Sequence, residues 1–284
     1  MRIEKRKKLQ PFIKWVGGKR GLLSQILPLF PKNFDNFFEP FVGGGAVFFE
    51  MFSNGTLADK EIYLFDINKE LINTYQVVKN RHQELIEKLE EFKSKHSKEF
   101  YYEVRSWDKL DNFQEMDSII KAARFIYLNK TCFNGLYRVN KKGFFNTPIG
   151  SYKNPNIADI KSIKNANCAL QNCTIENYDF AEVLKYAKKG DFIYFDPPYY
   201  PLNTTSKFTS YSEFEFLEKE QERLFEVFYE LDKRGCFVAL SNSDTKFIKD
   251  LYKNFDINFI NANRFINSKS NGRGKISEVL VRNY

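Results

Sequence analysis

Apolar residues recur along this chain in two rhythms. Short runs of β-branched and aromatic residues read as strands: Asn36–Pro40 (NFFEP), Glu61–Phe65 (EIYLF), Phe192–Phe195 (FIYF) and Cys236–Leu240 (CFVAL). The last two are continuously apolar and fit strands buried on both faces of a parallel sheet. Ile257–Ala262 and Glu278–Arg282 read as further strands. Helical spacing lies between them. Arg20–Phe30 is a short helix that Pro28 and Pro31 end. Phe41–Phe52 is a glycine loop running into a helix, and Ile67–Lys95 is helical, with Leu85, Leu89 and Phe92 on one face. Ser118–Asn129, Asp179–Lys189 (closed by Gly190), Glu213–Arg234 (ended by Gly235) and Thr245–Asn254 complete the set.

Strand, glycine turn, helix, strand, acid, helix is a βαβ unit of the doubly wound kind. Residues 97–176 break that rhythm and hold a loop-rich stretch with Asn134-Gly135, Gly143, Pro148, Gly150 and Pro155. The pattern predicts a discontinuous α/β domain, 1–80 and 176–284, interrupted by a mostly helical insert over 81–175.

At 284 residues, the chain is long enough to bury a sizeable core. Hydrophobic residues at 43% and charged residues at 28% exclude bulk disorder. The 30 Phe and 16 Tyr supply rings for a core, and rings also stack on bases. No apolar run reaches the ~18 residues of a membrane span. The basic opening has no apolar segment behind it, so it is not a secretory signal. The four cysteines make no C-x-x-C pair, and the only histidines are His82 and His96. Neither a zinc ribbon nor a histidine-rich metal site nor a Ser-His-Asp triad has its material. These features describe a reduced, cytoplasmic protein with no membrane association and no metal.

Net charge is +8, and its distribution matters more than its size. From Ser118 to Ala158 there is no acid, while Lys121, Arg124, Lys130, Arg138, Lys141, Lys142 and Lys153 share the stretch with Phe133, Tyr137, Phe144, Phe145 and Tyr152. Further clusters open the chain (Arg2, Lys5, Arg6, Lys7, Lys8) and lie near its end (Arg264, Lys269, Arg273, Lys275). Cations mixed with rings fit a nucleic-acid backbone better than a merely solvated face.

Three constellations carry chemistry. The first is Phe41-Val42-Gly43-Gly44-Gly45 between a strand and a helix, with Asp66 at the end of the next strand. The glycines allow close approach of a ligand, and the acid can accept from two ribose hydroxyls. NAD, FAD and S-adenosylmethionine suit it equally, and Asp66 can alternatively cap the helix from Ile67. The second is Trp15-Val16-Gly17-Gly18-Lys19-Arg20, which lacks the spacing of a Walker A loop. It reads either as a turn with a buried Trp or as a ring and a cation beside a cofactor. The third is Asp196-Pro197-Pro198-Tyr199, directly after FIYF. Two prolines stiffen the loop and remove backbone donors. A carboxylate and a carbonyl can then accept the two hydrogens of an exocyclic amine, while the tyrosine ring stacks on the base.

With these motifs the chain resembles the Dam-like, D12-class (group α) DNA adenine-N6 methyltransferases. KWVGGKR at Lys14–Arg20, FEPFVGGGAVFF at Phe38–Phe49, LFDIN around Asp66, DPPY at Asp196–Tyr199, FTSY at Phe208–Tyr211 and LSNSD at Leu240–Asp244 carry the resemblance nearly end to end. It implies a Rossmann-like S-adenosylmethionine-dependent methyltransferase fold, a mixed sheet with helices on both faces, and an inserted target-recognition domain. It further implies cofactor contacts from Trp15, Gly17, Gly18, Lys19, Glu39, Pro40, Phe41, Gly43, Gly45, Asp66, Ile67, Asp179, Phe180 and Asp196. Asp196, Pro197 and Tyr199 would be catalytic.

Phe133–Pro155 is similar to the stretch with which Dam-like enzymes read GATC. Arg138 would pair with guanine, Leu136 and Pro148 would press on a thymine methyl, and Phe133 and Asn134 would fill the gap around a flipped adenine. Lys14, Asn140, Tyr152 and Lys153 would complete the DNA contacts. The family often has Tyr where this chain has Phe133 and Arg where it has Ser151, so stacking is kept and one DNA contact is lost. The resemblance implies double-stranded DNA as partner, an enzyme acting as a monomer, and direct in-line methyl transfer to a flipped adenine. It allows a cognate restriction endonuclease acting on the same site. Other readings are a cytosine-N4 or RNA methyltransferase, a catalytically silent DNA-binding protein on the same fold, and a nicotinamide-dependent oxidoreductase, which leaves DPPY unexplained.

Overall fold

The computed structural model describes residues 9–202, 216–263 and 275–284. Their strands form one seven-stranded sheet in the order β3-β2-β1-β4-β5-β7-β6. β1 is Phe37–Glu39, β2 Ile62–Phe65, β3 Cys173–Glu176, β4 Phe192–Phe195, β5 Phe237–Ser243, β6 Asp256–Asn263 and β7 Lys275–Arg282. β1 to β5 run parallel, and β7 lies antiparallel between β5 and β6.

The strand residues alternate between two apolar cores, as a period of two dictates. Phe37, Ile62, Leu64, Phe192, Tyr194 and Leu280 enter one core, whereas Phe38, Phe65, Ile193, Phe195, Val238 and Val281 enter the other. A 3-10 turn at Phe180–Lys185, α8 (Glu218–Lys233) and α9 (Lys246–Leu251) cover the second face. Over the first lie α1 (Leu23–Ile26), α2 (Ala46–Ser53) and α3 (Lys69–Asn80). That core continues without a break into α4 (His82–Ser94), α5 (Lys98–Ser106), α6 (Ser118–Thr131) and α7 (Ile160–Leu170). Aromatic rings fill both cores; in the second, Phe38 and Tyr63 stack at 4.4 Å.

Side-chain caps fix the helix starts. Asn68 accepts from Leu71 N at 3.0 Å, Ser97 from Phe100 N at 3.0 Å, Asp117 from Ile119 N at 2.7 Å and Asp159 from Ser162 N at 3.2 Å. Each contributes about 1 kcal/mol.

The structure refines or corrects the sequence pattern in several places. The helical run Ile67–Lys95 divides at Arg81, whose φ of −136° and ψ of 35° are not helical. Asp179–Lys189 is no α-helix but the 3-10 turn, capped by Asp179. Asn68, not Asp66, caps α3, so the Asp66 carboxylate is left for other work. The unanticipated β3 pairs with β2 from Cys173 onward, so sheet resumes before residue 175. Of Glu213–Arg234, the helix runs from Glu218, and residues 213–215 lie outside the described residues. Among the described residues no helix is long and apolar enough to cross a membrane. All four cysteines are free.

Candidate active site

The strand order reverses at β1: β2 and β3 lie on one side of it and β4 onward on the other. Open α/β sheets bind ligands beyond the strand ends flanking such a point. β1 and its two neighbours each bring an acid there: Glu39 ends β1, and Asp66 and Asp196 directly follow β2 and β4. A cleft of about 1630 Å³ opens over these ends. Pockets for one small ligand run to roughly 300–1,000 Å³, so this cleft has room for a cofactor and a second group.

Gly43, Gly44 and Gly45 line the cleft, and packing inside the protein also demands glycine there. A Cβ on Gly43 would meet Trp15 Cδ1 at 2.7 Å, one on Gly44 would meet Trp15 Cβ at 2.9 Å, and one on Gly45 would meet the Tyr75 hydroxyl at 2.8 Å. Gly43 and Gly45 have φ of +47° and +68°. Trp15 therefore fits its turn closely against the glycine loop. Its ring also stacks on Tyr137 at 5.8 Å and Phe125 at 6.4 Å. The Tyr75 hydroxyl donates to the Gly43 carbonyl at 3.0 Å.

Asp66 is fastened to the loop it faces. Its Oδ2 accepts from Gly43 N at 3.0 Å and its Oδ1 from Asn68 N at 2.9 Å. Burial pushes this carboxyl up to about 6, against the lowering effect of those backbone bonds. Glu39 is buried and accepts from Phe48 N in α2 at 3.2 Å. Burial, then the charge of Asp196, hold it well above the usual carboxylate range, despite the Phe48 bond and Lys19.

Asp196 meets Lys19 Nζ at 2.7 Å. The same ammonium donates to the Gly17 carbonyl at 2.9 Å and lies 4.6 Å from the centre of the Tyr199 ring. Burial raises the Asp196 carboxyl, Lys19 opposes that, and Glu278 adds to it. The loop after Asp196 is braced from behind. Gln221 Nε2 donates to the Pro198 carbonyl at 3.0 Å, and Asn242 Nδ2 donates to Gln221 Oε1 at 3.0 Å. Asn242 Oδ1 accepts from Tyr200 N at 3.1 Å, and Ser243 Oγ donates to the Tyr200 carbonyl at 2.7 Å. Pro197 is buried and lines the cleft beside Asp196. From β7, Glu278 Oε2 accepts the Tyr199 hydroxyl at 2.8 Å.

Asp179 and Phe180 form a further wall. Arg223 holds Asp179 with two bonds of 2.7 Å and covers the Phe180 ring at 4.1 Å. Burial alone would raise the Asp179 carboxyl, but Arg223 and the Ala181 amide outweigh it and hold it low. Phe180 stacks on Phe41 at 5.3 Å. Trp15, Gly17, Gly18, Lys19, Glu39, Pro40, Phe41, Ile67, Asp179, Phe180, Pro197 and Tyr199 all line the one cleft.

The residues expected on DNA gather beside it. Lys14 lines the cleft, and its Nζ donates to the Tyr152 hydroxyl at 3.1 Å. Phe133 and Tyr152 are exposed large rings, at 53% and 38%. Asn134 takes φ of 55°, and Phe133 N donates to the Pro148 carbonyl at 2.9 Å. Arg138 is aimed by Asn146, whose Oδ1 accepts from its Nε at 2.6 Å. Asn140 spends its side-chain oxygen within the turn, on Lys142 N and Phe144 N. Leu136 is half-buried, and its carbonyl accepts from Thr147 Oγ1 at 2.7 Å. Lys153 is exposed. Arg124, counted with the basic stretch, points inward instead: it is 1% exposed and paired with Glu70 and Asp108. FTSY at 208–211, the opening basic arm, Arg264, Lys269 and Arg273 lie outside the described residues.

Sequence reasoning missed Gln221, Glu278, Arg223 and Asp108. Gln221 meets Pro198, Glu278 meets Tyr199, Arg223 meets Asp179 and Asp108 meets Phe145 at separations of 23, 79, 44 and 37 positions, which no local spacing encodes. Glu278 alone left a trace, as an acid inside an apolar strand pattern. Among the described residues no group of acids, cysteines and histidines could hold a metal ion.

The sheet order, the acids at its switch point and the stiff Asp-Pro-Pro-Tyr loop define a Rossmann-like methyltransferase. Sequence comparison specifies which kind. The profile of the D12 class N6 adenine-specific DNA methyltransferases matches residues 15–266, and the chain belongs to this family. The Type II methyltransferase M1.LlaDCHI of Lactococcus lactis subsp. cremoris is 46% identical over 278 residues, covering 97% of this chain and 96% of its own. The Type II methyltransferase M.MjaIII of Methanocaldococcus jannaschii is 46% identical over 290 residues, 97% of this chain and 99% of its own. The DNA adenine methylase of Escherichia coli (strain K12) is 34% identical over 278 residues, 97% of this chain and 95% of its own. The chain is an adenine-specific DNA methyltransferase, and its substrate is DNA.

Proposed function

We propose that the enzyme transfers a methyl group from S-adenosylmethionine to the N6 amine of adenine in double-stranded GATC, with the adenine flipped out of the duplex. The observation that carries the reading is the braced Asp196-Pro197-Pro198-Tyr199 loop, which opens into the same cleft as Asp66 and Glu39.

The residues fit this cofactor. Asp66 lines the cleft as an acceptor for ribose hydroxyls, the glycine loop permits close approach, and Phe41, Ile67 and Phe180 offer apolar walls. When bound, S-adenosylmethionine supplies an electrophilic methyl on its sulfonium. The protein has to present the amine correctly. That nitrogen is conjugated with its ring and is a poor nucleophile. Asp196 and the Pro197 carbonyl accept its two hydrogens and favour a tetrahedral nitrogen with an available lone pair. Tyr199 stacks on the flipped ring, and flipping costs a few kcal/mol. Positioning and fixed dipoles supply most of the acceleration, with no covalent enzyme intermediate. Asp196, its carboxyl raised by burial, is suited to receive the proton that the methylated amine releases.

Arg138, Leu136 and Pro148 read the site, with Phe133 and Asn134 beside the gap and Lys14, Asn140, Tyr152 and Lys153 completing the DNA contacts. Residues 81–175 act as the target-recognition insert. The enzyme works as a cytoplasmic monomer, alone or beside a restriction endonuclease that cuts the same site. Labelled S-adenosylmethionine offered with a GATC duplex and with the same duplex lacking that adenine tests this directly. N6-methyladenine in the first duplex alone is expected, and Asp196→Ala abolishes it while leaving DNA binding within a few-fold. Near-normal turnover by Asp196→Ala would refute the catalytic assignment.

A further inference from the structure

Arg124 is the largest fully buried side chain, and it sits at the junction of three elements. Its Nη1 meets Glu70 Oε2 at 2.9 Å and its Nη2 meets Asp108 Oδ2 at 2.7 Å. Nε and Nη2 also donate to the Val104 and Arg105 carbonyls at 3.0 Å each, at the end of α5. Asp108 Oδ2 accepts in addition from Phe145 N at 2.7 Å. A chain of charge-assisted bonds thus runs Glu70, Arg124, Asp108, Phe145.

Its two ends lie at different parts of the enzyme. Glu70 lines the cleft and stands in the first turn of α3, four positions after Asp66. Phe145 belongs to the hairpin that carries Arg138, where Val139 bridges Phe145 and Asn146 N donates to the Arg138 carbonyl at 2.9 Å. Inside this hairpin, Tyr137 stacks on Trp15, which is itself pressed against Gly43 and Gly44. The hairpin is therefore referenced to the cofactor end of the cleft twice, once by rings and once by charges.

A buried ion-pair cluster is weak evidence for stability, because apolar residues of equal volume often serve as well. What apolar residues lack is direction. The planar guanidinium with two carboxylates admits one relative placement of α3, α5 and the hairpin. Asp108 Oδ1 is buried without a partner among the described residues, so the carboxylate is held in place for the bonds its other oxygen makes.

We propose that Glu70, Arg124 and Asp108 form a positioning relay that sets target selectivity by fixing the register of the Arg138 hairpin against the cofactor end of the cleft. It rests on the reading of that hairpin as the target reader. None of the three residues need touch DNA.

The test compares kcat/KM on the duplex the wild-type enzyme methylates fastest with kcat/KM on duplexes carrying one replaced base pair in that site. Asp108→Asn keeps the shape and an acceptor for Phe145 N but removes the charge facing Arg124. Its selectivity ratio is expected to fall at least tenfold, while its Kd for S-adenosylmethionine stays within twofold. Glu70→Gln, at the cleft end of the relay, is expected to lower the ratio in the same direction and supplies the readout if Asp108→Asn does not fold. Val238→Ala, in the opposite core, lowers stability without moving the ratio, which separates positioning from mere loss of stability. Ratios within twofold of wild type in folded Asp108→Asn or Glu70→Gln would overturn the relay and leave the hairpin reading intact. A wild-type enzyme that does not discriminate between the duplexes would overturn both.

Discussion

If Asp66 holds the cofactor ribose as proposed, cofactor affinity should depend on pH in a window where an ordinary aspartate would not. Burial places its carboxyl at about 6, and ribose hydroxyls, as donors, require the ionised form. If only ionised Asp66 binds, the apparent Kd scales as one plus the ratio of protonated to ionised carboxyl. That factor is about 1.1 at pH 7 and about 11 at pH 5, so affinity falls about tenfold, or ~1.4 kcal/mol. With an ordinary pKa of about 3.9 the same change would be under ~10%. Unfolding does not mimic the effect. A carboxyl raised in the folded state binds protons there more readily than in the unfolded chain. Its contribution therefore favours folding as pH falls from about 6 towards 4, and costs stability above that window. Calorimetric titration with S-adenosylmethionine from pH 7.5 to 5 measures the slope. Asp66→Asn should bind more weakly and lose the pH dependence in this window. A flat wild-type profile, or a slope that survives in Asp66→Asn, would refute the assignment and move attention to Glu39.

Three further outcomes follow from packing and bonding. Gly43→Ala places a Cβ 2.7 Å from Trp15 at a φ of +47°, so about 1–3 kcal/mol of stability should be lost in urea unfolding, with a shift in tryptophan fluorescence. Asn242→Ala leaves the buried Gln221 Oε1 and Ser243 N and the part-buried Tyr200 N without this partner, which should cost about 2–4 kcal/mol in thermal unfolding and slow turnover through a loosened Pro198 carbonyl. Tyr199→Ala removes the stacking ring and should lower kcat/KM by about 5- to 150-fold, the equivalent of ~1–3 kcal/mol of base stacking. Tyr199→Phe keeps the ring and loses only the bond to Glu278, so a drop as large as that of Tyr199→Ala would contradict the stacking role.

The parts of the site that were legible in the sequence are those in which a few residues, adjacent in the chain, do one job. Gly43–Gly45, Asp66 and Asp196–Tyr199 each follow a strand, and the strands themselves announce where their C-terminal ends lie. What was illegible joins distant segments. Nothing near Tyr199 foretells Glu278, and nothing near Asp179 foretells Arg223. The glycine loop was read for ligand access alone, because the demand made on it by Trp15 comes from a separate motif. Arg124 was grouped with the basic stretch since its own neighbours carry no acid; its partners, Glu70 and Asp108, arrive from α3 and from the turn after α5. β3 escaped notice because Cys-Thr-Ile-Glu is short and half of it faces outward. The 3-10 turn after Asp179 carries helical spacing but too few residues to sustain an α-helix.

The pairing of β1 with β4 also bears on how the protein is made. Asn36 and Asp191, which share a side-chain bond at the entry to these strands, are 155 residues apart. At about 5–20 residues per second a ribosome needs ~8–30 s to deliver the second after the first. Throughout that interval Phe37 and Phe38 lack the strand that will cover their edge, while α3 to α7 emerge one after another. The helical half of the chain is thus free to collapse first and shelter the waiting strand. Substitutions that weaken α6 should therefore reduce the yield of folded enzyme in cells more than they lower its melting temperature once folded.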